Sequence, residues 1–208
     1  MKHFVITIAR GYGSGGRAIG ELLAKELGIS FYDRQLLRLA SDESGINEAL
    51  FANADEKVKN NLLLSVAKNI YKGEIIPPDR DDFISNENLF NYQAKIIKQL
   101  AEQESCVIIG RCADFILKDM ENVIRIYVHA PLADCIKTVE EMKVCPKKNV
   151  KNYIQTIDKR RAAYYRYFTG HDWNDASNYD LCINSSYLTR QQCVDLVKAC
   201  IDIKCANK

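Results

Sequence analysis

Apolar positions recur along the chain with two periods. "FVITIA", residues 4–9, is an unbroken run of strand-forming residues, the pattern of a strand covered on both faces. After "RGYGSGG" comes a segment from Arg17 in which Ile19, Leu22, Leu23 and Leu27 fall on one helical face, with Gly28 placed to end it. "ISFYD" predicts a short second strand. Residues 35–104 read mostly as helix, polar on one side and interrupted by "IIPPDRDD", and the last helix of that stretch keeps Leu89, Ile96, Ile97 and Leu100 in phase. "CVIIG" and "VIRIYVHA" are again near-continuous apolar runs, and "YDLCINSS" is a further short strand. A final amphipathic helix carries Val194, Val197, Cys200 and Ile201. Strands alternating with helices predict an α/β fold, a doubly wound parallel sheet. Neither an internal repeat nor a low-complexity linker divides the chain, so residues 1–208 read as one domain.

Charge adds little to this picture. Twenty-nine Lys and Arg against 27 Asp and Glu leave a formal charge of +2, which gives no reason to expect nucleic acid or an anionic membrane as the main partner. No apolar run approaches the roughly 18 residues of a membrane span, and no signal-type segment opens the chain, so a cytoplasmic protein is expected. The 8 Cys show no C-x-x-C pair and no ligand spacing to His3, His129 or His171. Reduced, structural thiols are expected, Cys106, Cys182, Cys193 and Cys200 acting as small hydrophobes, and no metal site is assigned. "DRDD", residues 79–82, reads as a solvated turn after Pro77 and Pro78.

The candidate chemistry starts at the loop. A strand, a glycine-rich loop and a helix N-terminus in that order form an anion site, because unpaired amides and the positive end of the helix dipole point to one spot. Two fingerprints fit. Gly11, Gly13 and Gly16 satisfy G-x-G-x-x-G, with Asp33 at the end of the second strand where a dinucleotide fold puts its ribose-binding acid. The same residues read as G-x-x-x-x-G-K-[ST] from Gly11, with Arg17 in place of Lys and Ala18 in place of the hydroxyl. The long helical stretch at 35–104 suits the second reading, since a flap over the strand ends excludes water from phosphoryl transfer.

Positive charge follows further along. "IIGRCAD" delivers Arg111 directly after a buried strand, at the carboxyl edge where α/β proteins bind ligands. "IDKRRAAYYRYFTGHDW" places Lys159, Arg160, Arg161 and Arg166 on one predicted helix. On a continuous helix Lys159 and Arg166 share a face while Arg160 and Arg161 point elsewhere. The segment is either a solvated basic face or a lid whose arginines reach transferring phosphates.

"ITIARGYGSGGRAIGELLAKELGISFYDRQLL", "VIIGRCADFIL", "IRIYVHAP" and "DKRRAAYYRYFTGHDWNDASNYDLCINSS" together resemble the cytidylate kinase-like family of P-loop nucleoside monophosphate kinases. The resemblance implies a P-loop kinase fold with a helical monophosphate-binding flap at 35–104 and a lid within 145–175. By it, the loop through Gly11, Gly13, Ser14, Gly15, Gly16, Arg17 and Ala18 would hold the phosphates of ATP, used with Mg²⁺. Asp33, Arg34 and Arg111, with Asp114 nearby, would face the acceptor, CMP, dCMP or a related small molecule, and Arg17, Arg161 and Arg166 would serve the transfer. Better-known cytidylate kinases carry Lys at the Arg17 position, a hydroxyl residue just behind it, and Asp where this chain has Cys112. A non-catalytic nucleotide-binding sensor and a dinucleotide-binding oxidoreductase are the alternative readings. The expected partner is a small nucleotide; sequence points to no protein partner.

Overall fold

The computed structural model describes residues 3–57 and 73–206. Five strands, β1 (Val5–Arg10), β2 (Ser30–Tyr32), β3 (Cys106–Ile109), β4 (Val123–His129) and β5 (Leu181–Asn184), form one sheet in the order β2-β3-β1-β4-β5. Every pairing is parallel, with Ile6 opposite both Val107 and Ile124. The apolar runs are unbroken because both faces are covered. Alternation sends Ile6, Ile8, Val107, Ile109, Ile124 and Ile126 to one side, where they pack on helices α1 (Gly16–Leu27) and α8 (Arg190–Ala206). Val5, Cys106, Ile108 and Val123 face the other side. That side is closed by α2 (Gln35–Ser44), α4 (Asn86–Gln103), the short α5 (Ala113–Ile116) and the second half of α7 (Val150–Thr169).

The stretch at 35–104 is helical as the periodicity predicts: α2, α3 (Glu48–Lys57) and α4, with the expected flap residues 58–72 lying outside the described residues. α4 is more than a flap support. Its Phe90 is fully buried and stacks on Phe168 of α7 at 4.0 Å and 4°. Asn88, also fully buried, accepts from Ile76 N–H at 2.8 Å and donates to the carbonyls of Ile76 and Phe83. The extended run after Gly73 is thereby fastened to the helix. "DRDD" sits on exposed turns, as expected. Ser85 caps α4, its Oγ accepting from Asn88 N–H at 3.2 Å. Ser85→Ala is expected to cost about 1 kcal/mol of unfolding free energy, read as a shift in urea midpoint at constant slope; an unchanged midpoint would remove the cap from the account.

An element with no sequence expectation is α6 (Leu132–Met142), which packs on the start of α7 through Cys135, Val139, Val150 and Ile154. Cys106 and Cys193 are buried as expected, whereas Cys182, on edge strand β5, is exposed. Among the described residues no helix is long and apolar enough to cross a membrane.

Strand order settles the two loop fingerprints. A dinucleotide fold needs β2 beside β1, so that the acid ending β2 reaches the ribose of a ligand lying over the loop. Here β3 stands between them. The dinucleotide reading is overturned by this topology, and Asp33 has another partner.

Candidate functional site

The loop between β1 and α1 is divided in two by its hydrogen bonds. Its first half is fastened to the protein: Gly11 N–H donates to Val128 C=O at 3.0 Å, and Gly11 C=O accepts from Ser14 Oγ at 2.8 Å. Arg10 C=O accepts from Arg161 Nη1 at 3.0 Å, and Tyr12 N–H donates to Asp158 Oδ1 at 2.9 Å. Ser185, after β5, donates to Ser14 C=O at 2.7 Å. The second half is different. Among the described residues the amides of Gly13, Gly15, Gly16, Arg17 and Ala18 have no acceptor. They open a 12-residue helix, so donors and the positive dipole end converge on one place. Gly13 is required there: φ is +85°, and a Cβ would stand 2.7 Å from Cys135 C=O, at the start of α6.

Arg17 extends from this helix end toward the end of β2. Its Nε lies 2.9 Å from Asp33 Oδ2 and its Nη1 3.0 Å from Glu21, while the guanidinium stays largely exposed. Arg161 is held more tightly. Its side chain is 24% exposed, faces Asp158 at 3.6 Å and lies 5.4 Å over the Tyr12 ring. Burial pulls the Arg161 pKa down, opposed by Asp158, Tyr12, Asp33 and Tyr127. Burial also pushes the Asp158 carboxyl up, against the Tyr12 amide, Arg161 and Arg10. The Tyr12 phenol is raised to about 12 by burial and by Tyr153, whose ring meets it edge-on at 5.5 Å. Arg10, Arg17, Arg161, Asp33 and Asp158 thus form one charged group around the loop mouth.

At the end of β3 the backbone is strained. Gly110, Arg111 and Cys112 take φ values of 69°, 57° and 55°, three left-handed residues in succession, at roughly 1–2 kcal/mol for each non-glycine. A side chain at Gly110 would be strained by its φ of +69°, and a Cβ there would push aside the Arg10 guanidinium that crosses it. The turn presents Arg111 to buried Gln93 on α4, Nη1 facing Oε1 at 3.5 Å. Arg34 is exposed at the start of α2.

Two of the expected site residues stand elsewhere. Asp114 presents no free carboxylate to solvent: it is 3% exposed and accepts from Tyr165 O–H at 2.6 Å. Burial raises its pKa to about 6. Arg166 lies on another face of α7, exposed and paired with Asp172.

Behind the loop, a cavity of about 280 Å³ is lined by Gly13, Gly15, Asp134, Lys137, Ser185 and Arg190, among others. It brings α6 and the β5–α8 turn against the same glycines that carry the unengaged amides.

The sequence profile of the cytidylate kinase-like family matches residues 5–187, from β1 through the turn after β5. The chain belongs to the cytidylate kinase-like family. Over 102 residues it is 28% identical to the cytidylate kinase of Methanosarcina acetivorans, a match covering 48% of this chain and 56% of that one. The chain therefore spans about half the length of the curated relatives it matches. The crystal structure of an uncharacterized protein from Eubacterium ventriosum aligns with TM-score 0.69 and 25% identity, over 96% of this chain and 99% of that one. A gluconokinase from Sinorhizobium meliloti aligns with TM-score 0.54 and 13% identity, over 99% and 95%, which shows the shared α/β kinase fold.

In this cytidylate kinase-like protein the loop residues do not fit direct protein ligation of Mg²⁺. Ala18 and Ile19 bring no hydroxyl, Ser14 Oγ is committed to Gly11, and Asp33 to Arg17. Among the described residues no three His, Cys, Asp or Glu are grouped to hold a metal. Two members of the charged group, Arg10 and Asp158, carry no sequence expectation. Arg10 is legible only as the last residue before the loop. Asp158 precedes Arg161 by three positions, a spacing that puts both on one helical side and is visible in the sequence.

Proposed function

We propose that this protein transfers the γ-phosphoryl group of ATP to a small phosphorylated acceptor, a nucleoside monophosphate, with cytidylate first because it is the acceptor in the Methanosarcina relatives' name. The observation that carries the reading is the divided loop: amides left without acceptors at the start of α1, beside an arginine already held at the loop's first peptide. The amides take the triphosphate oxygens. The cavity lined by Gly13, Lys137 and Ser185 takes the nucleoside, and Asp33, Arg34 and Arg111 face the acceptor. An acceptor phosphate oxygen forms the new P–O bond as the bond to the bridging oxygen breaks and ADP leaves. Catalysis is positioning and charge neutralisation, which Arg161 and Arg17 supply.

The testing experiment is ADP release with ATP and Mg²⁺ across a panel of nucleoside monophosphates, beside Arg17→Ala. Turnover that depends on one acceptor is expected, with KM for ATP raised about tenfold in the variant, the scale of one charge-assisted hydrogen bond. ATP binding without turnover on any acceptor overturns the kinase reading in favour of a nucleotide sensor. An unchanged KM in Arg17→Ala removes Arg17 from the phosphate site.

A further inference from the structure

Four backbone polar groups surround Gly11, and all four are satisfied: Gly11 N–H by Val128, Gly11 C=O by Ser14, Arg10 C=O by Arg161 and Tyr12 N–H by Asp158. Two of these partners come from α7, one turn apart, and their own chain positions are more than a hundred residues from the loop. The same helix holds the Tyr12 ring, through the Arg161 guanidinium above it and Tyr153 at its edge. Loop residue Tyr12 is therefore fixed by backbone and by ring from one element. Beyond it, the chain turns through Gly13 and Gly15, both in the left-handed region, into the unengaged amides.

We propose that Asp158 is a positioning residue of the phosphate loop: its carboxylate clamps the Tyr12 peptide from α7 and orients Arg161, so that the amides of Gly13 to Ala18 are aimed before nucleotide arrives. The proposal rests on the reading of this loop as the phosphate site. One Asp158 oxygen, Oδ1, accepts from the Tyr12 amide at 2.9 Å and faces Arg161 at 3.6 Å, so a single acceptor atom joins the loop to the arginine. The carboxylate charge would repel a phosphate on Asp158 itself, so the residue acts through the loop and through Arg161 rather than on substrate. The contacts bear on the expected lid within 145–175, part of which is packed here. Its 158–161 turn is tied to the loop, and Tyr164, Tyr165 and Phe168 beyond it lie in the core.

The test compares wild type, Asp158→Ala and Asp158→Asn by amide hydrogen exchange at Tyr12 without nucleotide, by ATP affinity, and by KM for each substrate. The Asp158 side chain is 30% exposed, and Asn keeps an oxygen within the same reach. Exchange at Tyr12 is expected to accelerate about tenfold or more in Asp158→Ala and to stay near wild type in Asp158→Asn. ATP should bind about tenfold more weakly to the Ala variant, on the same grounds, with acceptor KM nearly unchanged and ATP affinity largely rescued by Asn. A rise confined to acceptor KM would place Asp158 on the acceptor and overturn the proposal. So would Tyr12 exchange that is equal in all three proteins. Exchange and ATP affinity need no turnover, so a wild type that binds ATP but transfers nothing would refute the kinase reading while leaving these two readouts to decide the clamp.

Discussion

Arg161→Ala is expected to lower kcat by roughly 10²–10³-fold while changing the ATP dissociation constant far less. The guanidinium is held on three sides, by Arg10 C=O at 3.0 Å, Asp158 at 3.6 Å and the Tyr12 ring at 5.4 Å. That fixes a permanent positive charge at the loop mouth with no reorganisation to make during transfer, the condition under which a charge favours the transition state over the ground state. Burial lowers its pKa, but arginine remains protonated in proteins, so the charge is present throughout the working pH range. Lysine is a poor replacement, because one ammonium cannot meet a carbonyl, a carboxylate and a phosphate from the directions a planar fork does. Arg161→Lys should recover little of the rate. Arg166→Ala is the internal comparison: exposed and paired with Asp172, it should lose much less. Steady-state kinetics on the acceptor identified by the panel decide the matter. Equal losses at the two arginines, or a change in KM alone, would take Arg161 out of the transfer step.

What could be read from the chain follows from the physics of each feature. Strands covered on both faces announce themselves as apolar runs, so β1, β3 and β4 are visible in "FVITIA", "CVIIG" and "VIRIYVHA". A glycine loop before an amphipathic helix is equally legible, since close backbone approach and positive φ leave few residues to choose from. Strand order is not local. Both readings of "GYGSGGRA" survive until the structure puts β3 between β1 and β2, and with it the Asp33 carboxylate opposite Arg17. Charged side chains are ambiguous for a related reason: Arg161 and Arg166 look alike in sequence, and only the phase of one continuous helix decides which meets the loop. Asp114 shows the converse ambiguity. A carboxylate near an expected site invites a binding role, but the turn into α5 carries it inward to Tyr165.

That inward turn has a measurable consequence. Burial lifts the Asp114 carboxyl from the ordinary range near 4 to about 6, outweighing the Tyr165 hydroxyl and the charge of Arg125. The folded protein thus binds a proton that the unfolded chain has already released. Its stability falls as pH rises through that window and stays lower above it, by about 3 kcal/mol for a shift of about two pH units. Asp114→Asn keeps an oxygen for the Tyr165 hydroxyl and removes the titrating charge. The variant should match wild type below pH about 4, draw ahead between pH about 4 and 6, and unfold up to about 3 kcal/mol harder at pH 7. Urea denaturation of the pair at pH values spanning this range measures the gap directly, and a gap that does not change with pH would mean that this carboxyl is not shifted in the folded protein. The cost sits beside the left-handed residues Arg111 and Cys112, a second local expense in the same turn. If Asp114→Asn gains stability and keeps full turnover, the acid is dispensable to the site; if it gains stability and loses turnover, the charge buried against Tyr165 serves the site at a cost to the fold.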